Sequence, residues 1–171
     1  GYNSDCSGAI AALEACTSLK DKNILILGAG GTAKAIGYGV KQKGGKLTIT
    51  YNRNKEKGEN LAKELGCELI HCRDAGTQSI DILINCSPVG MNPNINESPF
   101  LARDFKEGMV VFDSVYNPLE TKLLREAKAA GCKVIPGSEL FINQAARQFE
   151  LFTGQPAPID AMREVLMENL N

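Results

Sequence analysis

The chain has 171 residues, 19 basic against 20 acidic side chains, and 43% hydrophobic residues. That length fits one ordinary domain, large enough to bury a core without a disulfide or metal staple. The charge balance excludes a basic footprint for nucleic acid or anionic membrane, and no apolar run approaches the roughly 18 residues of a membrane span.

The chain opens on Gly1-Tyr2-Asn3 rather than methionine, which reads as a piece of something longer. Ala9–Cys16 is helical, with Ser4 or Asp5 placed ahead of it as an N-cap would be. Asn23–Leu27 (NILIL) is a short, fully apolar strand, and Gly31 to about Lys43 is helical. Lys46–Tyr51 (KLTITY) is β-branched strand, and Lys55–Leu65 is a helix closed by Gly66. Further strands are expected at Cys67–His71, Asp81–Asn85, Met109–Asp113 and Cys132–Ile135, with helices at Leu119–Ala130, Ser138–Phe152 and Ile159–Leu170. The one long irregular stretch is Cys86–Pro99, with prolines at 88, 93 and 99. Near-continuous apolar strands alternating with helices predict an α/β fold. The expected form is a doubly wound, Rossmann-like parallel sheet of about six strands with helices on both faces.

The six cysteines (Cys6, Cys16, Cys67, Cys72, Cys86, Cys132) form no C-x-x-C pair, and His71 is the single histidine. Zinc spacing is absent, so no metal site is expected. Reduced structural thiols in a reducing, cytoplasmic setting are the expectation. His71, Cys72, Phe141 and Met162 read as structural.

The first strand runs into Gly28-Ala29-Gly30-Gly31-Thr32-Ala33 and then a helix, the pattern G-x-G-x-x-A. Gly28 permits the tight turn, Gly30 lets backbone approach a pyrophosphate, and Ala33 allows close helix–strand packing. The helix N-terminus offers free N–H groups and a partial positive charge to phosphate. The strand–turn–helix context makes this a dinucleotide site. An NAD site wants Asp or Glu at the end of the second strand to hold the ribose 2′-hydroxyl. Here stand Asn52-Arg53-Asn54-Lys55, with Lys57 after them. Arg53 can grip a 2′-phosphate bidentately and stack on adenine, so NADP is the expected cofactor.

Several further motifs run in one order: Gly1-Tyr2-Asn3-Ser4-Asp5 with Gly8, the glycine turn, Asn52-Arg53, and Asn85-Cys86-Ser87-Pro88-Val89-Gly90-Met91. They continue with Asp113-Ser114-Val115-Tyr116-Asn117-Pro118, Gly137 and Gln144-Ala145-Ala146. Together they resemble the shikimate dehydrogenase family over nearly the whole chain. Tyr38–Gly44 and Phe152–Pro158 look closest to the form fused to dehydroquinate dehydratase in plants and some microbes. For a plant parent of that kind, a plastid would replace the cytoplasm.

The resemblance implies reversible, NADPH-dependent reduction of 3-dehydroshikimate to shikimate, in aromatic amino acid biosynthesis. It implies two domains: an N-terminal substrate domain, absent from this chain, and the nucleotide domain. Residues 1–18 would be the linking helix segment carrying the catalytic aspartate, and residues 19–171 the NADP-binding domain with its C-terminal helices. The family's serine pair and its lysine in a proline-histidine-lysine context have no counterpart here, so the chain alone is expected to lack full activity.

Residue by residue, Asp5 matches the aspartate that pairs with that lysine and touches a substrate hydroxyl, and an N-cap role can coexist with this. Ser4 stands where relatives usually have threonine. Tyr116 and Gln144 match substrate-contacting residues. Gly137 and the Ser87–Met91 loop are expected to line the nicotinamide, with Ser114 near it. The cofactor set is then Gly28, Ala29, Gly30, Gly31, Thr32, Asn52, Arg53, Asn54, Lys57, Ser87, Ser114 and Gly137. Alternatives are a quinate-using sister enzyme, a non-catalytic NADP-binding module, and the nucleotide domain of a glutamyl-tRNA reductase, whose relatives lack the Tyr116/Gln144 pattern.

Overall fold

A computed structural model describes the backbone of residues 4–170 and the side chains of residues 6–169. Six strands form one sheet: β1 (Asn23–Leu27), β2 (Lys46–Tyr51), β3 (Glu68–His71), β4 (Ile82–Asn85), β5 (Val110–Asp113) and β6 (Lys133–Ile135). Their order is β3-β2-β1-β4-β5-β6, and every pairing is parallel. The helices are α1 (Ser4–Cys16), α2 (Gly31–Gln42), α3 (Lys55–Leu65), α4 (Lys122–Ala129), α5 (Gly137–Thr153) and α6 (Ile159–Leu170). The expected doubly wound α/β architecture is therefore present.

Both sheet faces are apolar because alternate strand residues serve different layers. In β1, Ile24 and Ile26 join the cluster built with Leu13 of α1, Ile36 and Val40 of α2, Leu61 of α3 and Leu140 of α5. Leu25 and Leu27 join the opposite cluster, with Leu83, Val111, Phe105, and Leu123 and Ala127 of α4. A strand with apolar residues on both sides is central, and β1 sits between β2 and β4. The winding direction reverses there, so the carboxyl ends of β1 and β4 splay their loops apart and open a crevice.

Most boundaries lie within a residue of the sequence reading, and three features differ by more. Helix α1 starts at Ser4, not near Ala9, so Asp5 lies within the first turn instead of ahead of the helix. It packs into the shared core through Ala9, Ile10, Ala12 and Leu13. Helix α4 starts at Lys122 instead of Leu119, because the Thr121 hydroxyl caps it by accepting from Leu124 N–H. After β3 the chain makes a 3-10 turn over Cys72–Thr77, capped by His71, whose Nδ1 accepts from Arg73 N–H at 3.1 Å. The His71 ring also meets Tyr51 edge-on, 5.0 Å between centroids, which accounts for it as a structural residue. All six cysteines are free thiols.

Candidate functional site

The glycine turn lies at the carboxyl end of β1. Gly28 has φ +114°, a conformation side-chain-bearing residues avoid, and its N–H donates to Thr50 Oγ1 at 3.1 Å. Thr50, buried in β2, thus fixes the turn. Sequence reading passed over it, because a threonine in a β-branched strand is ordinary. No side chain caps α2 at Gly30, so its first N–H groups stay available. A Cβ built on Gly30 or Gly31 would meet nothing within 4 Å, so open space stands over both residues. Ala29, Gly30, Gly31, Lys34 and Lys57 line a cleft of about 220 Å³, with Glu64 on its wall held by Lys34 at 2.6 Å. Thr32 follows, half-buried, in the first turn of α2.

Asn52, Arg53 and Asn54 are exposed between β2 and α3. Asn54 caps α3: its Oδ1 accepts from Lys57 N–H at 2.8 Å, leaving its NH₂ for a ligand. The first carboxylate after β2 is Glu56, inside α3. The uncapped turn, the open space over it and the acid-free end of β2 together fit a dinucleotide carrying a 2′-phosphate.

The second group of candidates surrounds the carboxyl ends of β4 and β5. Asn85 and Asp113 are fully buried there. Asn85 Nδ2 donates to Asp113 Oδ1 at 2.9 Å, and Asn85 Oδ1 accepts from Ser87 N–H (2.9 Å) and Ser87 Oγ (2.7 Å). Asn85 Nδ2 also reaches Val89 O at 3.3 Å. Asp113 additionally accepts from Val115 N–H at 3.0 Å and from Thr121 Oγ1 at 2.6 Å. Burial pushes the Asp113 carboxyl above its usual 3.8, while the bonds from Thr121, Val115 and Asn85 pull it back in part. Burial, and then the Asp113 charge, push the Cys86 thiol well above the usual range.

Gly137 opens α5 and is buried against this knot. A Cβ there would lie 2.3 Å from Val115 O and 2.9 Å from Ser114 O, so only glycine lets α5 start this close. Tyr116, exposed, stacks on Phe141 of α5 with centroids 5.3 Å apart. Phe141, expected as a structural residue, is itself exposed. Gln144 lies half-buried one turn further along α5, beside Gly8 of α1. The helix bearing Asp5 therefore runs alongside the helix bearing Gln144. The Asp5 side chain lies outside the described residues, as do Gly1–Asn3.

Two sets of expected residues are thus each brought together. The glycine turn and Lys57 form one, and Ser87, Ser114, Tyr116, Gly137 and Gln144 form the other. Sequence reading missed Thr50, Asp113 and Thr121 as contributors. For Asp113 a signal existed: a carboxylate ending an otherwise apolar strand must find partners. Among the described residues, no group of three or more acidic, histidine or cysteine side chains could hold a metal, and no helix is long and apolar enough to cross a membrane.

Comparison with known proteins agrees with this geometry. The sequence pattern of the family described as "Shikimate / quinate 5-dehydrogenase" matches residues 10–113, more than half of the chain. The pattern described as "Shikimate 5'-dehydrogenase C-terminal domain" matches residues 137–167. The chain is 37% identical over 180 residues to a shikimate dehydrogenase (NADP(+)) of Methanosarcina acetivorans, covering 99% of this chain and 64% of that protein. It is 37% identical over 183 residues to the chloroplastic bifunctional 3-dehydroquinate dehydratase/shikimate dehydrogenase of Arabidopsis thaliana, covering 97% of this chain and 30% of that protein. A shikimate dehydrogenase solved in complex with NADP+ superposes with a TM-score of 0.90 at 35% identity, over 100% of this chain and 63% of that one. The chain thus spans less than two thirds of the length of these relatives. It belongs to the shikimate / quinate 5-dehydrogenase family.

Proposed function

We propose that this chain is the NADP-binding part of an enzyme that reversibly reduces 3-dehydroshikimate to shikimate with NADPH. The observation that carries the reading is one sheet edge holding both an open, uncapped glycine turn and a second strand that ends without a carboxylate. An acid there would repel a 2′-phosphate, whereas Arg53 and Lys57 attract it. The backbone of Gly28–Thr32 receives the pyrophosphate at the α2 N-terminus. Asn52 and the NH₂ of Asn54 add donors beside the ribose. Ser87, Ser114 and Gly137 border the nicotinamide, and the loops carrying them exclude water from it.

When bound, NADPH supplies the hydride that reduces the carbonyl carbon. Tyr116 and Gln144 hold the polyhydroxylated acid, the carboxamide by matching hydroxyl donors and acceptors. Asp5 touches a substrate hydroxyl and orients the lysine that the family resemblance implies. That lysine and the serine pair have no counterpart in these 171 residues. Residues 1–18 then form the segment leading from the substrate domain, and residues 19–171 the nucleotide domain.

The test is to measure NADPH binding and shikimate oxidation with the chain alone. The expected result is saturable NADPH binding with little or no turnover. Full turnover by the chain alone, or no NADPH binding, would refute the reading.

A further inference from the structure

Ser87, Ser114, Tyr116 and Gly137, proposed to border the nicotinamide and substrate, come from three separate segments, yet one buried group ties those segments together. Asp113 bonds Asn85, and Asn85 in turn holds both Ser87 N–H and Ser87 Oγ. The Ser87 hydroxyl then accepts from Val89 N–H at 3.3 Å, so the loop after β4 is shaped from Asn85 outward. Asp113 also bonds Val115 N–H, between Ser114 and Tyr116, and Thr121, which closes the loop after β5 and caps α4. The carbonyls of Ser114 and Val115 are the surface against which Gly137 packs. The glycine turn has its own anchor, Thr50 on β2, and it meets the β4 loop where Gly28 backs onto Cys86 and the Ser87 N–H.

Resting on the NADP reading above, we propose that Asp113 is a positioning residue. Buried and so out of contact with any ligand, it sets the loops after β4 and β5 to receive the nicotinamide end of the nucleotide, leaving the adenosine end to the glycine turn and Arg53. Its bonds distinguish shape from charge. Among the described residues, Oδ1 accepts from Asn85 and Val115, and Oδ2 from Thr121. An asparagine there keeps the two acceptor bonds on its oxygen and donates to the Thr121 hydroxyl with its NH₂. An alanine loses all three and leaves Asn85 Nδ2 and Val115 N–H without their buried partner.

The experiment titrates the chain with NADPH, read by nicotinamide fluorescence, and separately with adenosine 2′,5′-bisphosphate, which has the 2′-phosphate but no nicotinamide. With Asp113→Ala, the NADPH Kd is expected to rise about tenfold or more while that of the bisphosphate stays within about twofold. Asp113→Asn is expected to restore NADPH affinity, and Thr121→Val, which removes one bond, to shift NADPH alone in the same direction by less. If the alanine variant does not fold, Thr121→Val carries the same comparison. Equal weakening of both ligands, or unchanged NADPH binding, would overturn the positioning role. Failure of the unaltered chain to bind either ligand would overturn the nucleotide reading, and this proposal with it.

Discussion

Asn85 and Asp113 are register partners at the carboxyl ends of β4 and β5, and their buried side chains share a 2.9 Å hydrogen bond. Parallel strands bring equivalent positions side by side, so two polar residues that each end an apolar strand meet in the core. Each satisfies the other and then shapes the loop that follows it.

The carboxyl of Asp113 is held above its usual 3.8 by burial. A raised folded-state pKa means the native chain binds that proton more tightly than the unfolded chain does. The stability gained is fully present below the unfolded value and is lost as pH rises through the folded value. Asp113→Asn removes this dependence, keeps the bonds from Asn85 and Val115, and reverses the one with Thr121. The variant is therefore expected to gain stability relative to the parent as pH rises from about 4 toward neutrality. Urea unfolding of both proteins across that range checks the sign, and a difference that shrinks as pH rises would contradict it.

Gly137 sits where an added Cβ would overlap Val115 O. Backbone cannot swing aside as a side chain can, so Gly137→Ala must push α5 away from the loop after β5. A loss of about 1–3 kcal/mol is expected, with weaker NADPH binding beyond what the stability loss explains. Thermal unfolding alongside NADPH titration measures both, and unchanged stability would contradict the close contact.

Cys86 lies beside Gly28 with its thiol held protonated by burial and then by Asp113. The thiolate is the reactive form, so Cys86 is expected to resist iodoacetamide at pH 8 in the folded chain and to react once the chain is unfolded. Peptide mapping by mass spectrometry reads this directly. Labelling at the same rate in both states would contradict a thiol held protonated in the fold.

The sheet was legible in the sequence because short apolar or β-branched runs are set off by helices or glycines. NILIL and DILIN read as strands of the kind buried on both faces. The glycine turn was legible because its spacing carries its geometry. Helix boundaries were less so: the start of α4 depends on Thr121, whose hydroxyl is fixed by Asp113, 8 positions earlier in the chain. The 3-10 turn after β3 depends on His71 acting as a cap, which no periodicity announces. Thr50 and the Asn85–Asp113–Thr121 knot were hidden for the same reason. Their roles come from which strand ends are neighbours, and the strand order β1-β4-β5 is tertiary information.

The choice of cofactor rests on the end of β2, where Arg53 stands and the first carboxylate is Glu56 inside α3. The most direct measurement is the affinity of the chain for NADPH and for NADH, before and after Arg53→Asp. The expected result is that the parent prefers NADPH and that the substitution weakens NADPH by about tenfold or more while changing NADH far less. Equal affinity of the parent for both nucleotides, or equal loss of both on substitution, would contradict it.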